Sequence, residues 1–337
     1  MAGVKIDEIN ANILRMLLAD ARTSFTDLAE KNDITVTAAI SRYKNLRKTG
    51  VIKGSFMEIN PHYFGLKCIG DLGLSVEPQK SEEIKQVLDK EPYILSAWKR
   101  MYEVNIGSFF ATPDLEYFNK ATEKLKMYPH VKSIHPLIHV GFLESDHSEN
   151  LIIPTDVNVE QQSSKERTTG PFHFHEKNFV VTPEIEQMDP VDRDITKMLS
   201  DDARTAFSYI AKKLSISTST VFNRYQKLKK DNVFLRSTIS INLEKLGYKG
   251  MVMFYFNIKP RNDISELKKH LLGIPNLIIL NKTMGETDMF VALPVATIEE
   301  FLKIKATFHA IDGIRVIRTN IAPIMHKWPY NFFAHIL

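Results

Sequence analysis

Residues 20–51, DARTSFTDLAEKNDITVTAAISRYKNLRKTGV, and residues 202–233, DARTAFSYIAKKLSISTSTVFNRYQKLKKDNV, align without a gap at an offset of 182, and 13 of the 32 positions are identical. Such self-similarity within one chain marks an internal repeat, which decides the architecture before any single motif does. The same offset pairs Asn60 with Asn242, Gly65 with Gly247 and Pro78 with Pro260. At 183 it continues through Met101 and Met284, Glu103 and Glu286, and Phe118 and Phe301. The chain is therefore two copies of one unit of about 140 to 150 residues. Residues 146–183 lie between them, and DHSEN followed by QQSSKERTTGP has little apolar periodicity, so this stretch reads as a connector.

Each copy divides again. In the first, apolar residues recur at helical spacing through Ile6, Ile9, Ile13, Leu14 and Leu17, then Phe25, Leu28 and Ala29, then Val36, Ala39, Ile40, Tyr43 and Leu46. Ser24 and Thr35 stand at N-cap positions and Gly50 stands where the third helix should stop. Three helices followed by the strand VIKGSFMEIN predict a winged-type helix-turn-helix over 1–54, with its counterpart over 184–236.

The remainder, 61–145 and 243–337, reads strand, helix, strand, strand, helix, strand. That βαββαβ order predicts a ferredoxin-like antiparallel sheet with both helices on one face, so the fold class is α+β. The run MVMFYFNI from Met251 is almost continuously apolar, which predicts that the second face of the sheet is covered as well, by another such sheet.

Composition is that of a folded globular chain: 337 residues, 44% hydrophobic and 25% charged. The net charge of +4 is too small to announce a nucleic-acid binder, so local clustering carries that argument. Cys68 is the single cysteine and sits in an apolar stretch, which fits a buried thiol in a reducing compartment. No run of about 18 apolar residues occurs, and the N-terminus lacks a signal-peptide pattern, so the expectation is a cytoplasmic protein with no membrane contact.

A third helix suits a DNA major groove when its N-terminal side chains are small or polar and its flanks are basic. Thr35, Thr37 and Ser41 in the first copy, and Ser217, Ser219, Thr220 and Asn223 in the second, would face bases. Arg42, Lys44 and Arg47, with Arg224, Lys227 and Lys230, would neutralise phosphates of double-stranded DNA. Arg22 and Arg204 are further phosphate candidates, and Asp20 and Asp202 suggest helix-end ion pairs.

The pattern LSDDARTAFSYIAKKLSISTSTVFNRYQKLKKDNV resembles the DNA-binding domain of the Lrp/AsnC, or feast/famine, regulators, and the βαββαβ unit resembles their ligand-sensing and oligomerisation domain. The resemblance implies a transcription regulator without a cofactor, sheet-to-sheet pairing, homo-oligomers, and an amino-acid effector near a glycine-containing turn. Gly285, Glu286 and Asp288 match that turn; the first copy has Tyr102, Glu103 and Asn105 there. Gly285 serves either an effector site or a tight β-hairpin turn. Two heads tethered through the connector would bind a two-part site with raised avidity.

An enzyme is the competing class. The sirohaem decarboxylases resemble Lrp/AsnC proteins, and that resemblance makes Arg100, His135 and His139 the candidate catalytic groups. Both helices keep their basic residues, however, and the second copy has Arg318 near the place of His135, so the expectation is no catalytic site. His173 and His175, with His147 distant, offer no third metal ligand at useful spacing, and no phosphate-binding glycine loop is present.

Overall fold

The structure is a computed structural model and describes residues 4, 6–101, 103–140, 151–152, 188–260, 267, 270–271, 274 and 276–334. The connector 146–183 falls outside these residues except for 151–152, as do Tyr102, His147, His173, His175 and most of the helix expected at 264–272.

In the first copy the head consists of α1 (Glu8–Ala19), α2 (Phe25–Lys31) and α3 (Val36–Lys48). Ser24 and Thr35 cap α2 and α3, their hydroxyls accepting from the N–H of Asp27 at 3.0 Å and of Ala38 at 3.2 Å. Such a cap contributes about 1 kcal/mol. Gly50 follows α3 at φ 75°, a left-handed turn that glycine makes without a Cβ clash. The second head consists of α6 (Pro190–Asp201), α7 (Phe207–Leu214) and α8 (Thr218–Lys230). Ser217 caps α8 through the N–H of Thr220 at 3.0 Å.

The strand after each head, β1 (Ile52–Ile59) and β6 (Phe234–Ile241), forms no wing within its own head. The two pair antiparallel with each other, from Ile52 opposite Ile241 to Ile59 opposite Phe234. Apolar side chains of each strand then reach into the opposite copy. Ile239 and Ile241 of β6 pack in one cluster with Leu14, Leu17 and Leu46 of the first head, and Met57 and Ile59 of β1 pack with Ile195, Leu199 and Leu228 of the second. Each head's core is thus completed by the other copy's strand. The heads are fixed against each other rather than tethered through 146–183, which corrects the avidity argument drawn from the connector.

The first βαββαβ unit follows the expected order, and the second does so for the elements among the described residues. The first has β2 (Cys68–Val76), α4 (Ser81–Leu88), β3 (Ile94–Lys99), β4 (Ile106–Thr112), α5 (Leu115–Lys126) and β5 (Val131–His139). The second has β7 (Gly250–Ile258), β8 (Ile279–Gly285), β9 (Met289–Val295), α9 (Ile298–Ala310) and β10 (Ile314–Pro323). Leu72, Leu74 and Phe110 meet Ile84, Leu88 and Phe118 beneath the helices of the first unit; Phe254 stacks on Phe308 beneath those of the second, with ring centroids 4.2 Å apart. Cys68 is buried in the first of these cores as a free thiol, and burial pushes its pKa up.

The sheets join into one eight-stranded arrangement, β10-β7-β9-β8-β5-β2-β4-β3. The seam is β5 against β8, three residue pairs from Leu137 opposite Gly285 to His139 opposite Thr283. At the outer edges the Met101 N–H donates to the Ile321 carbonyl at 2.8 Å, so the strip curls round and its ends meet. The inner faces of the two sheets therefore cover each other within one chain.

Gly285 makes the seam close enough. Its φ is 144°, and a Cβ there would stand 2.5 Å from the Pro136 carbonyl oxygen on the neighbouring strand. Backbone in this region costs an L-residue about 1–3 kcal/mol. Gly285→Ala should lower the thermal midpoint by several degrees, while Gly54→Ala, at a glycine with open space around it, should leave it unchanged. Equal midpoints for the two variants in a thermal melt would contradict this role.

Candidate nucleic-acid interface

Helices α3 and α8 present matched solvent-facing surfaces. Thr35, Thr37, Ser41, Lys44 and Arg47 are exposed along α3, and Ser217, Ser219, Asn223, Lys227 and Lys230 along α8. Neither helix contains an acidic residue. Thr220 is half-buried, and its hydroxyl lies 2.8 Å from that of Ser217, which also meets Ser219 at 2.7 Å. The start of α8 is therefore a self-bonded hydroxyl cluster, whereas Thr35 at the start of α3 is followed by exposed Val36. The surfaces share charge and differ in polarity.

Arg42 and Arg224 are turned away from these surfaces, inward to the first helix of their own heads. Arg42 Nη1 meets Asp7 at 2.7 Å and the side chain of Asn10 at 3.1 Å; Arg224 Nη1 meets Asp192 at 2.9 Å and Asp189 at 3.3 Å. The hydrogen bond with Asp192, ahead of its charge, raises the Arg224 pKa. Asp192 is buried, so this pair holds α8 to α6. Lys44, Arg47, Lys227 and Lys230 point outward and are exposed.

Arg22 and Arg204 are engaged between the heads. Arg22 reaches into the second head, donating to the carbonyls of Ala203 and Thr205 and lying 4.2 Å from the Phe207 ring centroid. Arg204 does the reverse, donating to Ala21 and Thr23 and lying 4.8 Å from the Phe25 ring centroid. Burial lowers the Arg22 pKa. Asp20 and Asp202 accept from the backbone N–H of Arg22 and Arg204, and each also accepts from a serine of the other copy, Ser237 and Ser55 respectively. The repeated Asp-Ala-Arg is thus the clamp between heads, a role that becomes visible only when residues 182 apart are brought together.

The residues around Gly285 are occupied by the seam. Glu286 bonds His135 Nδ1 at 2.6 Å and Arg318 Nη1 at 3.1 Å, and Asp288 accepts from the Ile258 N–H at 2.8 Å. Of the three groups considered for catalysis, His135 is thus tied to Glu286. Arg100 and His139 line a cavity of about 420 Å³ between the sheets, together with Trp98, Tyr255, Asn281 and Trp328. His139 bonds Asp71 at 2.9 Å. Asn281 and Trp328 carry no sequence signal that marks them as cavity residues. Among the described residues no group of three or more His, Cys, Asp or Glu side chains could hold a metal, and no helix is long and apolar enough to cross a membrane.

Known proteins bear on both parts of the molecule. The AsnC-type helix-turn-helix domain matches residues 6–47 and 188–229, one in each head. An HTH-type transcriptional regulator of Pyrococcus furiosus is 30% identical over 146 residues, which are 42% of this chain and 97% of that protein. One from Pyrococcus abyssi is 28% identical over 145 residues, 43% of this chain and 91% of its own length. Each relative thus has the length of one copy. Among solved structures, the siroheme decarboxylase NirDL matches over 97% of this chain and 96% of its own, with a TM-score of 0.61 at 15% identity, a likeness of fold.

Two variants separate reading from holding. Lys227→Ala with Lys230→Ala should weaken DNA binding and flatten the slope of log affinity against log salt by about 0.9 for each phosphate contact removed. Arg224→Ala should keep that slope and instead lose about 1–3 kcal/mol of stability, since it strands the buried Asp192 carboxylate. Salt titrations of binding, with urea melts of the same variants, read both; a flattened slope in Arg224→Ala would contradict the assignment.

Proposed function

Because the chain belongs to the Lrp/AsnC family of HTH-type transcriptional regulators, here duplicated within one polypeptide, we propose that a single chain reads a two-part DNA site with both of its heads. The observation that carries this reading is the pair of exposed, acid-free helices α3 and α8, held by a head-to-head contact that no second chain has to supply. Exposed lysines and arginines supply the salt-sensitive part of the affinity and the polar N-terminal residues supply discrimination. Thr35, Thr37 and Ser41 differ from Ser217, Ser219 and Asn223, so the two halves of the site differ in sequence and the operator is not a palindrome. A homo-oligomer of such chains, which the family resemblance implies, adds further heads without being needed to complete the first two. A regulator of this kind acts in the cytoplasm, where the DNA is.

A tetrapyrrole-processing enzyme is the second reading, supported by the interior cavity with Arg100 and His139 and by the fold shared with NirDL. The regulator is preferred because both heads present basic, acid-free helices to solvent, which a reaction in the buried cavity does not need.

The test is binding to fragmented genomic DNA across a salt series, with the retained fragments sequenced. The regulator retains a small set of fragments with a steep salt slope, and footprints on them show two unlike half-sites. No retention at low salt, with a coloured tetrapyrrole purifying alongside the protein, would favour the enzyme; two identical inverted half-sites would remove the asymmetry.

A further inference from the structure

Arg100 is the only lysine or arginine among the described residues that is buried, at 7% exposure, and no described carboxylate lies within ion-pair distance of it. Its Nε has no hydrogen-bond partner. An unpaired interior cation is costly unless an anion or strong acceptors meet it. Here its guanidinium lies 5.2 Å from the Trp98 ring centroid and 5.9 Å from that of Tyr255, contacts that offset only part of that cost.

The backbone beneath it has been cleared. Gly107 and Gly73 are direct cross-strand neighbours on β4 and β2, and a Cβ on Gly107 would stand 2.2 Å from Arg100 Nε. At the equivalent place in the second copy the neighbours are Phe290 and Tyr255, which fill the space, and Thr283 stands where Arg100 would be. Duplication has made the cavity one-sided: a cation over glycines on one wall, aromatic rings on the other.

The other charges on the wall have partners: Glu58 bonds Arg236, Asp71 bonds His139, Lys99 bonds Glu82 and His326 bonds Glu244, while Lys327 is exposed to water. Two more buried polar atoms belong to residues lining the same cavity and lack partners, the Asn281 carboxamide oxygen and the Trp328 indole N–H. A cavity of about 420 Å³ lies in the usual range for small-ligand sites.

We propose that this cavity binds a flat, largely aromatic small molecule bearing a carboxylate or equivalent anion, with Arg100 as its counter-ion and Asn281 and Trp328 as its polar contacts. The site is the cavity on which the second reading also rests, though no reaction is required of it here; it is separate from the Gly285 turn and from the DNA-reading surfaces, so its test needs no DNA and stands whether or not the heads bind any.

The probe is 6-hydroxy-2-naphthoate, compared with its neutral amide, 6-hydroxy-2-naphthamide, by isothermal titration calorimetry on the full chain. Both tryptophans of the chain, Trp98 and Trp328, line the cavity, so its occupancy also changes the whole tryptophan emission. The carboxylate should bind at least about tenfold more tightly than the amide and change the emission saturably, and Arg100→Met should abolish that preference. Equal affinity of acid and amide for the wild-type chain, no saturable binding at millimolar concentration, or a preference retained in Arg100→Met would each overturn the proposal. The wild-type comparison decides by itself if Arg100→Met does not fold.

Discussion

Each head lacks part of its own core, and the strand that completes it comes from the other copy. Ile239 and Ile241 close the first head, Met57 and Ile59 close the second, and the two strands that carry them are hydrogen-bonded to each other. The polar shell repeats the exchange: Arg22 caps carbonyls of the second head and Arg204 those of the first, while Asp20 meets Ser237 and Asp202 meets Ser55. Neither copy can satisfy these groups alone, because buried apolar strands and orphaned carbonyls are costly to leave uncovered. The placing of the two recognition helices relative to each other follows from this exchange, while the sheets close through β5 against β8 and the Met101 to Ile321 bond.

Several of the identities between the copies lie at this exchange. Asp-Ala-Arg, Phe25 with Phe207, and Tyr43 with Tyr225 are identical between copies, and all lie at the junction of the heads, where each arginine lies over the opposite copy's rings. Surfaces outside the junction differ between the copies. The start of α3 became Thr-Val-Thr while that of α8 became a hydroxyl cluster, and the inner sheet faces became glycine with arginine on one side and tyrosine with phenylalanine on the other.

Much of this was legible in the sequence where the signal is local. Helical periodicity, the caps at Ser24 and Thr35, the stop at Gly50 and the βαββαβ order depend on neighbours a few residues away, and the structure places them as expected. The second buried sheet face could be read from the unbroken apolar run at Met251. What could not be read is which partner a long side chain finds across the fold. Arg22, Arg42, Arg204 and Arg224 all look alike as basic residues beside a helix-turn-helix, yet all four are engaged in holding the heads together or intact. Gly285 reads as an effector turn or a tight hairpin turn, and nothing local to it shows that it also lets β8 approach β5 closely. Arg100 gives no sign in the sequence that its neighbours across the sheet are glycines.

One chain therefore builds within itself what two half-length chains would build by pairing. The measurement that tests this most directly is the stoichiometry of the protein on a single operator fragment, by sedimentation at saturating protein, with hydroxyl-radical footprinting of the same complex. The account predicts that a bound chain protects both half-sites of a two-part site. One protected half-site for each bound chain would contradict it.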